Sequence, residues 1–293
     1  MERPSTLPGR DGSAKRLFES IESKITNKSF KNLDPLRKYN LILFVLHLGM
    51  ALFLLAYFNR QRKKGSDVQG INLELFEHAF RQNPDTNFAE VFSEQIAKIQ
   101  EGGVTSLIVT FFMITAAFHL IYFLNPNNIY LDSIKNGNNF LRWIEYTGSA
   151  TIIIIVLALL SGVKDINNYI LITVASIGVM STGQLFEDQR DPKKKWLPIV
   201  VGFVLLMGIF TVIFRAFRKR LKEAETAGFE VPSFLYAIVY VMFAFYASFG
   251  FVPVAQMVFK KDYRKSEYAY LTLSAVSKVS LGVLVAVGFS QRS

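Results

Sequence analysis

Lys278, in the string Ser274-Ala275-Val276-Ser277-Lys278, and Glu145, in Arg142-Trp143-Ile144-Glu145-Tyr146, each interrupt a long apolar run. A charge near a bilayer centre costs at least about 2.5 kcal/mol on insertion scales, so ionisable groups placed there point to function. An amine in apolar surroundings can condense with an aldehyde to a Schiff base. Once protonated, the buried imine requires a carboxylate beside it. Glu145 is the acidic residue well inside an apolar run, which makes it the counterion candidate by elimination. The alternative for Lys278 is an ion-pair partner that only fixes helix packing. Arg142, one turn before Glu145, could instead snorkel to the interface.

Helical spacing supplies the surroundings. Ser149 lies one turn beyond Glu145, and Ser274 one turn before Lys278, so hydroxyls share the charged faces. His47 and His119 fall in two further apolar runs, with Thr115 one turn from His119. Each histidine could be a plain interhelical hydrogen-bond former; two beside a buried Glu/Lys pair also suit a proton-accepting network that includes Arg142. Tyr236, Tyr240, Phe243, Phe245, Tyr246 and Phe249 form an aromatic stripe. It reads either as packing or, with Trp143 and Tyr146, as the apolar wall a long conjugated aldehyde would need, Tyr246 and Phe245 being the candidates. Glu230 and Glu187 stand near opposite membrane faces and are candidates for an ion path. Their other readings are a helix N-terminal charge and an interfacial solvated residue.

The elements that must position these groups follow from composition. The 293 residues are 51% hydrophobic and carry a net charge of +10, a combination that favours a membrane protein with basic flanks. Apolar segments fall at Tyr39–Phe58, Val104–Leu124, Phe140–Val163, Asn168–Phe186, Trp196–Phe214, Val231–Phe259 and Tyr268–Phe289. Each is long enough to cross a hydrocarbon core of about 30 Å. The expected fold is an all-α membrane protein, a seven-transmembrane-helix bundle over 39–290. A basic extension at 1–38 precedes it, where Leu17, Phe18, Ile21 and Ile25 suit a short helix on an anionic membrane face or simply a solvated tail. With no apolar run in the first 36 residues, the first span is expected to serve as its own insertion signal. Cysteine is absent, which excludes disulfides, thiolate metal sites and a thiol nucleophile; no metal site is expected.

Lys and Arg are more numerous on the side of the tail, which favours a cytoplasmic N-terminus and an extracellular C-terminus. Arg60/Arg62/Lys63/Lys64 and Arg215/Arg218/Lys219/Arg220/Lys222 pull the other way. The 45-residue extracellular loop 59–103 is too long for a bare link and is expected to be partly helical. Phe88, Val91, Phe92, Ile96 and Ile99 share a helical face, and Asn87 with Glu90 resembles a capping pair. Pro253 is expected to kink the sixth span. No internal repeat or pair of broken helices supports an inverted-repeat transporter.

Four separated motifs in the expected order resemble heliorhodopsins, retinal-binding seven-helix microbial rhodopsins of inverted topology. They are Asn139-Phe140-Leu141-Arg142-Trp143-Ile144-Glu145-Tyr146, Leu273-Ser274-Ala275-Val276-Ser277-Lys278, His47 in Leu-His-Leu-Gly-Met and His119 in Ala-Ala-Phe-His-Leu, joined by Val231-Pro232-Ser233-Phe234-Leu235-Tyr236. The resemblance runs from about Tyr39 to Phe289. It implies all-trans retinal on Lys278, Glu145 as Schiff-base counterion, a cytoplasmic N-terminus, a homodimer and a slow photocycle for sensing. By the same resemblance Ser274 and Thr115 tune the Schiff-base region, and His47 and His119 belong to an inner polar cavity. The helical reading of 59–103 departs from the strand-bearing loop usual in that family.

Proton pumps of the related microbial families often place a second carboxylate eleven residues after the counterion and an aspartate one turn before the lysine. Here those positions hold Val156 and Ser274, so pumping is not expected. A light-gated passive proton channel on the same chromophore is the alternative to a sensor, with carboxylates at both faces and histidines between. A peptide-type receptor is disfavoured by the missing cysteine and the inner N-terminus. Neither a nucleotide-binding loop nor an output domain follows the seventh span, so no enzyme and no nucleic-acid partner is expected. A signal would pass through membrane lipid or an unidentified cytoplasmic partner.

Overall fold

Asp34 and Pro35 open the first helix. The Asp34 carboxylate accepts from Leu36 N at 2.9 Å, and proline supplies a first position that needs no N–H. The computed structural model describes residues 32–63, 73–82, 89–99, 103–259 and 262–290. Its helices are α1 (Pro35–Lys63), α2 (Gly103–Leu124), the short α3 (Ile129–Lys135), α4 (Phe140–Ser161), α5 (Ile166–Asp188), α6 (Trp196–Thr226), α7 (Ser233–Val258) and α8 (Tyr263–Ser290). All but α3 are long and apolar enough to cross a membrane, so the chain is an integral multi-pass protein with seven spans. They close into a ring in the order α1, α2, α4, α5, α6, α7, α8 and back to α1, and α4 also reaches α6 and α7. This central helix is the most buried span, so its polar residues face protein. Leu171, Val174, Leu197 and Val204 are exposed on the outside, as lipid-facing residues should be.

Local chemistry fixes the helix ends. Asp165 caps α5 by accepting from Asn167 N at 2.7 Å, and Gly162 ends α4 with φ 88°, a left-handed conformation that glycine adopts without a Cβ penalty. Between α2 and α3, Asn125, Asn127 and Asn128 all have positive φ. Asparagine tolerates that region better than other side-chain-bearing residues. Asn125 Oδ1 then accepts from Tyr130 N at 3.0 Å and Leu131 N at 3.3 Å, which starts α3 and turns Tyr130 into the bundle.

Several expectations need correction. The amphipathic helix expected within 59–103 is an antiparallel hairpin, β1 (Leu73–Gln82) with β2 (Ala89–Ile99). Register shifts between Leu75 and Phe76, leaving Ile96 as the extra residue of a bulge. The bulge breaks the period-2 alternation, and β2's apolar positions then imitate helical spacing. The hairpin docks through Phe76 N to Lys164 O at 2.9 Å, with Leu75 in the core. The α6 helix continues to Thr226, so Arg215 to Lys222 extend a helix instead of lying in a loop. The proline expected to kink the sixth span, Pro253, lies inside α7, five residues before its end. The basic tail segment Leu17 to Ile25 lies outside the described residues.

Candidate functional site

Lys278 and Glu145 meet. Lys278 Nζ lies 2.6 Å from Glu145 Oε1 and 2.9 Å from Ser274 Oγ; the two charged side chains are each 3% exposed. The same Oε1 accepts from Thr115 Oγ1 at 2.7 Å and Ser149 Oγ at 2.9 Å. Three helices thus supply donors to one carboxylate oxygen. That arrangement meets the condition for a buried ion pair: good geometry plus hydrogen bonds to the remaining polar sites.

The amine borders a largely apolar cavity whose walls include Trp143, Tyr146, Met180, Phe203, Tyr246 and Phe249. Tyr246 is held by donating to Ala150 O at 2.7 Å, and Tyr146 by donating to Tyr270 O at 3.1 Å. Trp143 packs closely against α5 because position 183 is glycine; a Cβ there would overlap the indole. Phe249 belongs to the wall. Phe245 does not, and packs half-buried against the apolar core. An apolar cavity with one amine at its wall, paired with a buried carboxylate, fits a conjugated aldehyde linked through Lys278.

Arg142 does not snorkel. It is 1% exposed and forms ion pairs with Glu187 and Glu267, with its guanidinium carbon 4.1 Å from the centre of the Tyr270 ring. Glu187 is therefore a buried ion-pair partner, 3% exposed, instead of an interfacial solvated residue. Its Oε2 also accepts from Asn139 N and Trp143 Nε1, both at 2.9 Å. Glu230 is exposed between α6 and α7 and joins no buried group.

Glu267 was not among the expected site residues, because a span starting at Tyr268 leaves it in a loop. The helix begins at Tyr263, and the face of Lys278 continued backwards through Ser274 and Tyr270 reaches Glu267 at helical spacing. That continuation is the signal that could have found it. Its Oε1 accepts from Asn139 Nδ2 at 2.9 Å and Tyr130 OH at 3.1 Å. Burial, and next the neighbouring Glu267 charge, push the Tyr130 phenol above its ordinary range, so it acts as a donor.

His47 and His119 stack with ring centres 5.0 Å apart. His47 Nδ1 lies 2.7 Å from Leu43 O, and His119 Nδ1 2.7 Å from Asn40 Oδ1. Asn40 in turn donates to Tyr130 OH at 3.1 Å. His119 is thereby joined by hydrogen bonds to the Arg142 cluster, with His47 attached through the ring stack, a connection through α3 that spacing within single spans does not reveal.

A sequence model of the family described as Heliorhodopsin matches residues 36–289. No curated protein matches the chain.

Proposed function

The chain belongs to the heliorhodopsin family, and on that premise we propose that it is a light-sensing photoreceptor carrying all-trans retinal on Lys278, with Glu145 as counterion. The family match makes it a retinal-type rhodopsin with the chromophore bound to a lysine. Retinal supplies visible absorption and light-driven isomerisation when bound. The protein's part is to hold its charge and shape. The observation that carries the assignment is the buried Lys278–Glu145 pair at 2.6 Å, with Lys278 on the wall of an apolar cavity. Thr115, Ser149 and Ser274 hold the carboxylate and amine in register. Trp143, Tyr146 and Tyr246 wall the cavity, while His47 and His119, outside its lining, offer buried nitrogen.

We read the photocycle as slow and non-pumping. Val156 occupies the position of a second carboxylate and is fully buried, and Ser274 replaces the second aspartate. The tail side is taken as cytoplasmic, the hairpin side as extracellular, and the working unit as a homodimer signalling to lipid or a cytoplasmic partner. The polar chain from His119 to Glu267 favours a second reading, a light-gated proton leak. Voltage clamp under illumination across imposed pH gradients separates the two: currents that reverse with the proton gradient support the leak and overturn the sensor.

Loaded with all-trans retinal, the protein should absorb visible light, and Lys278→Ala should lose that band completely. A surviving band ends the assignment. Glu145→Gln should move the band to longer wavelength. A counterion stabilises positive charge localised at the nitrogen before excitation more than the displaced charge after it, so removing it narrows the gap. An unchanged band would assign the counterion elsewhere.

A further inference from the structure

Asn40 is fully buried on α1, and every polar atom of its side chain is engaged. Nδ2 donates to Leu36 O at 2.8 Å and to Tyr130 OH at 3.1 Å. Oδ1 faces His119 Nδ1 at 2.7 Å. A main-chain carbonyl can only accept, so Leu36 O fixes which way the amide points; turned over, two carbonyl oxygens would meet. Oδ1 can likewise only accept, and His119 must therefore carry its hydrogen on Nδ1. The same logic applies to His47, whose Nδ1 faces Leu43 O. Each neutral imidazole then holds its lone pair at Nε2, and both Nε2 atoms are buried without a hydrogen-bond partner.

From Asn40 the hydrogen bonds continue in one sense, through Tyr130 OH to Glu267 Oε1 and so to Arg142 and Glu187. The line reaches from the histidine pair to the charged cluster on the N-terminal side. One link in it is an amide. Imidazole and carboxylic acid can take a proton on one atom and release one from another, and a phenol can take one and release another at its single oxygen. A primary amide does this only through its high-energy imidic acid form.

We propose that Asn40 is a positioning residue with two effects: it fixes His119 as the Nδ1–H tautomer with a free Nε2, and it interrupts proton passage from the histidine pair to Glu267. A proton accepted at His119 Nε2 is thereby held beside the chromophore site, while the hydrogen bonds remain continuous. The tautomer rests on geometry alone; the interruption rests on the retinal reading above.

The tautomer is tested on retinal-free protein in lipid nanodiscs with ¹⁵N-labelled histidine, where nitrogen shifts report which ring atom carries hydrogen. His119 should be Nδ1–H, and Asn40→Leu should mix the tautomers. His119 found as Nε2–H, or unaffected by Asn40→Leu, overturns that half. The interruption is tested on retinal-loaded protein in lipid nanodiscs, with a pH dye in the bulk reading transient proton release after a flash. Asn40→Asp should show a light-induced transient proton release to the N-terminal face well above that of the unsubstituted protein, and Asn40→Asp/Tyr130→Phe should lose it. Asn40→Ser, with room for a water, is a second relay variant with the same expectation if the aspartate variant does not fold. Release no greater than in the unsubstituted protein overturns the interruption. A missing visible band in the unsubstituted sample would instead mark failure of the retinal reading, with the nitrogen shifts still deciding the tautomer.

Discussion

At the level of Lys278 the bundle divides into two unlike halves. Toward the N-terminal face lie Asn40, His119, Asn139, Arg142, Glu187 and Glu267, all buried and joined by directed hydrogen bonds and ion pairs, with the buried Glu145 paired separately to Lys278. Toward the hairpin face lie Leu54, Ile108, Phe111, Ile154, Leu157, Ile213, Leu281 and Val285, and no buried Asp, Glu, His, Lys or Arg occurs there among the described residues. One half is held by partners that must be individually correct; the other by non-directional packing that depends on volume. Charge displaced from Lys278 therefore meets acceptors on one side and hydrocarbon on the other. Vectorial transport needs groups on both sides, whereas a sensor needs only a local rearrangement of charge.

The sharpest way to break the polar half is Arg142→Ala. It strands two carboxylates that are 3% and 0% exposed, and loss of one partner from a buried ion cluster typically costs about 3–5 kcal/mol. Denaturant or thermal unfolding in micelles should show that loss. A change within experimental error would mean that Glu187 and Glu267 do not depend on the guanidinium. Ile154→Ala is the matching test of the apolar half. Ile154 is fully buried outside the cavity wall, so its truncation should cost about 3 kcal/mol through lost transfer energy and a residual cavity. Its visible band should stay where it is; a shifted band would show that the packed half also tunes the chromophore and would blur the division.

How far each half was legible in the sequence follows the same division. The seven spans were readable because lipid and core both demand apolar residues, and Lys278 and Glu145 stood out as violations of that demand. Asn40, Tyr130 and Glu267 did not stand out. Asn40 and Tyr130 are uncharged, and Tyr130 enters the bundle only because three left-handed asparagines turn α3 inward. Glu267 sits in a run with Arg264 and Lys265 that resembles an ordinary basic loop until α8 is started at Tyr263. The hairpin failed for a different reason: its bulge gave β2 the spacing of a helix, and pairing with β1 is a non-local fact that a single window does not hold.

The smallest expected effect probes the boundary between the halves. Thr115→Val keeps the shape of a residue that is fully buried and removes the donor 2.7 Å from Glu145 Oε1. Hydrogen bonds to charged groups contribute about 1.5–3 kcal/mol, and two other donors remain, so the loss should be near the low end, about 1.5 kcal/mol. The colour carries more information than the stability. With one donor fewer, more negative charge stays on the carboxylate facing Lys278, which stabilises the positive nitrogen before excitation. The band should therefore move to shorter wavelength, opposite in sense to Glu145→Gln. A shift in the same sense as Glu145→Gln would mean that Thr115 acts on the chromophore by a route other than the Glu145 carboxylate, and that the polar half begins below that residue.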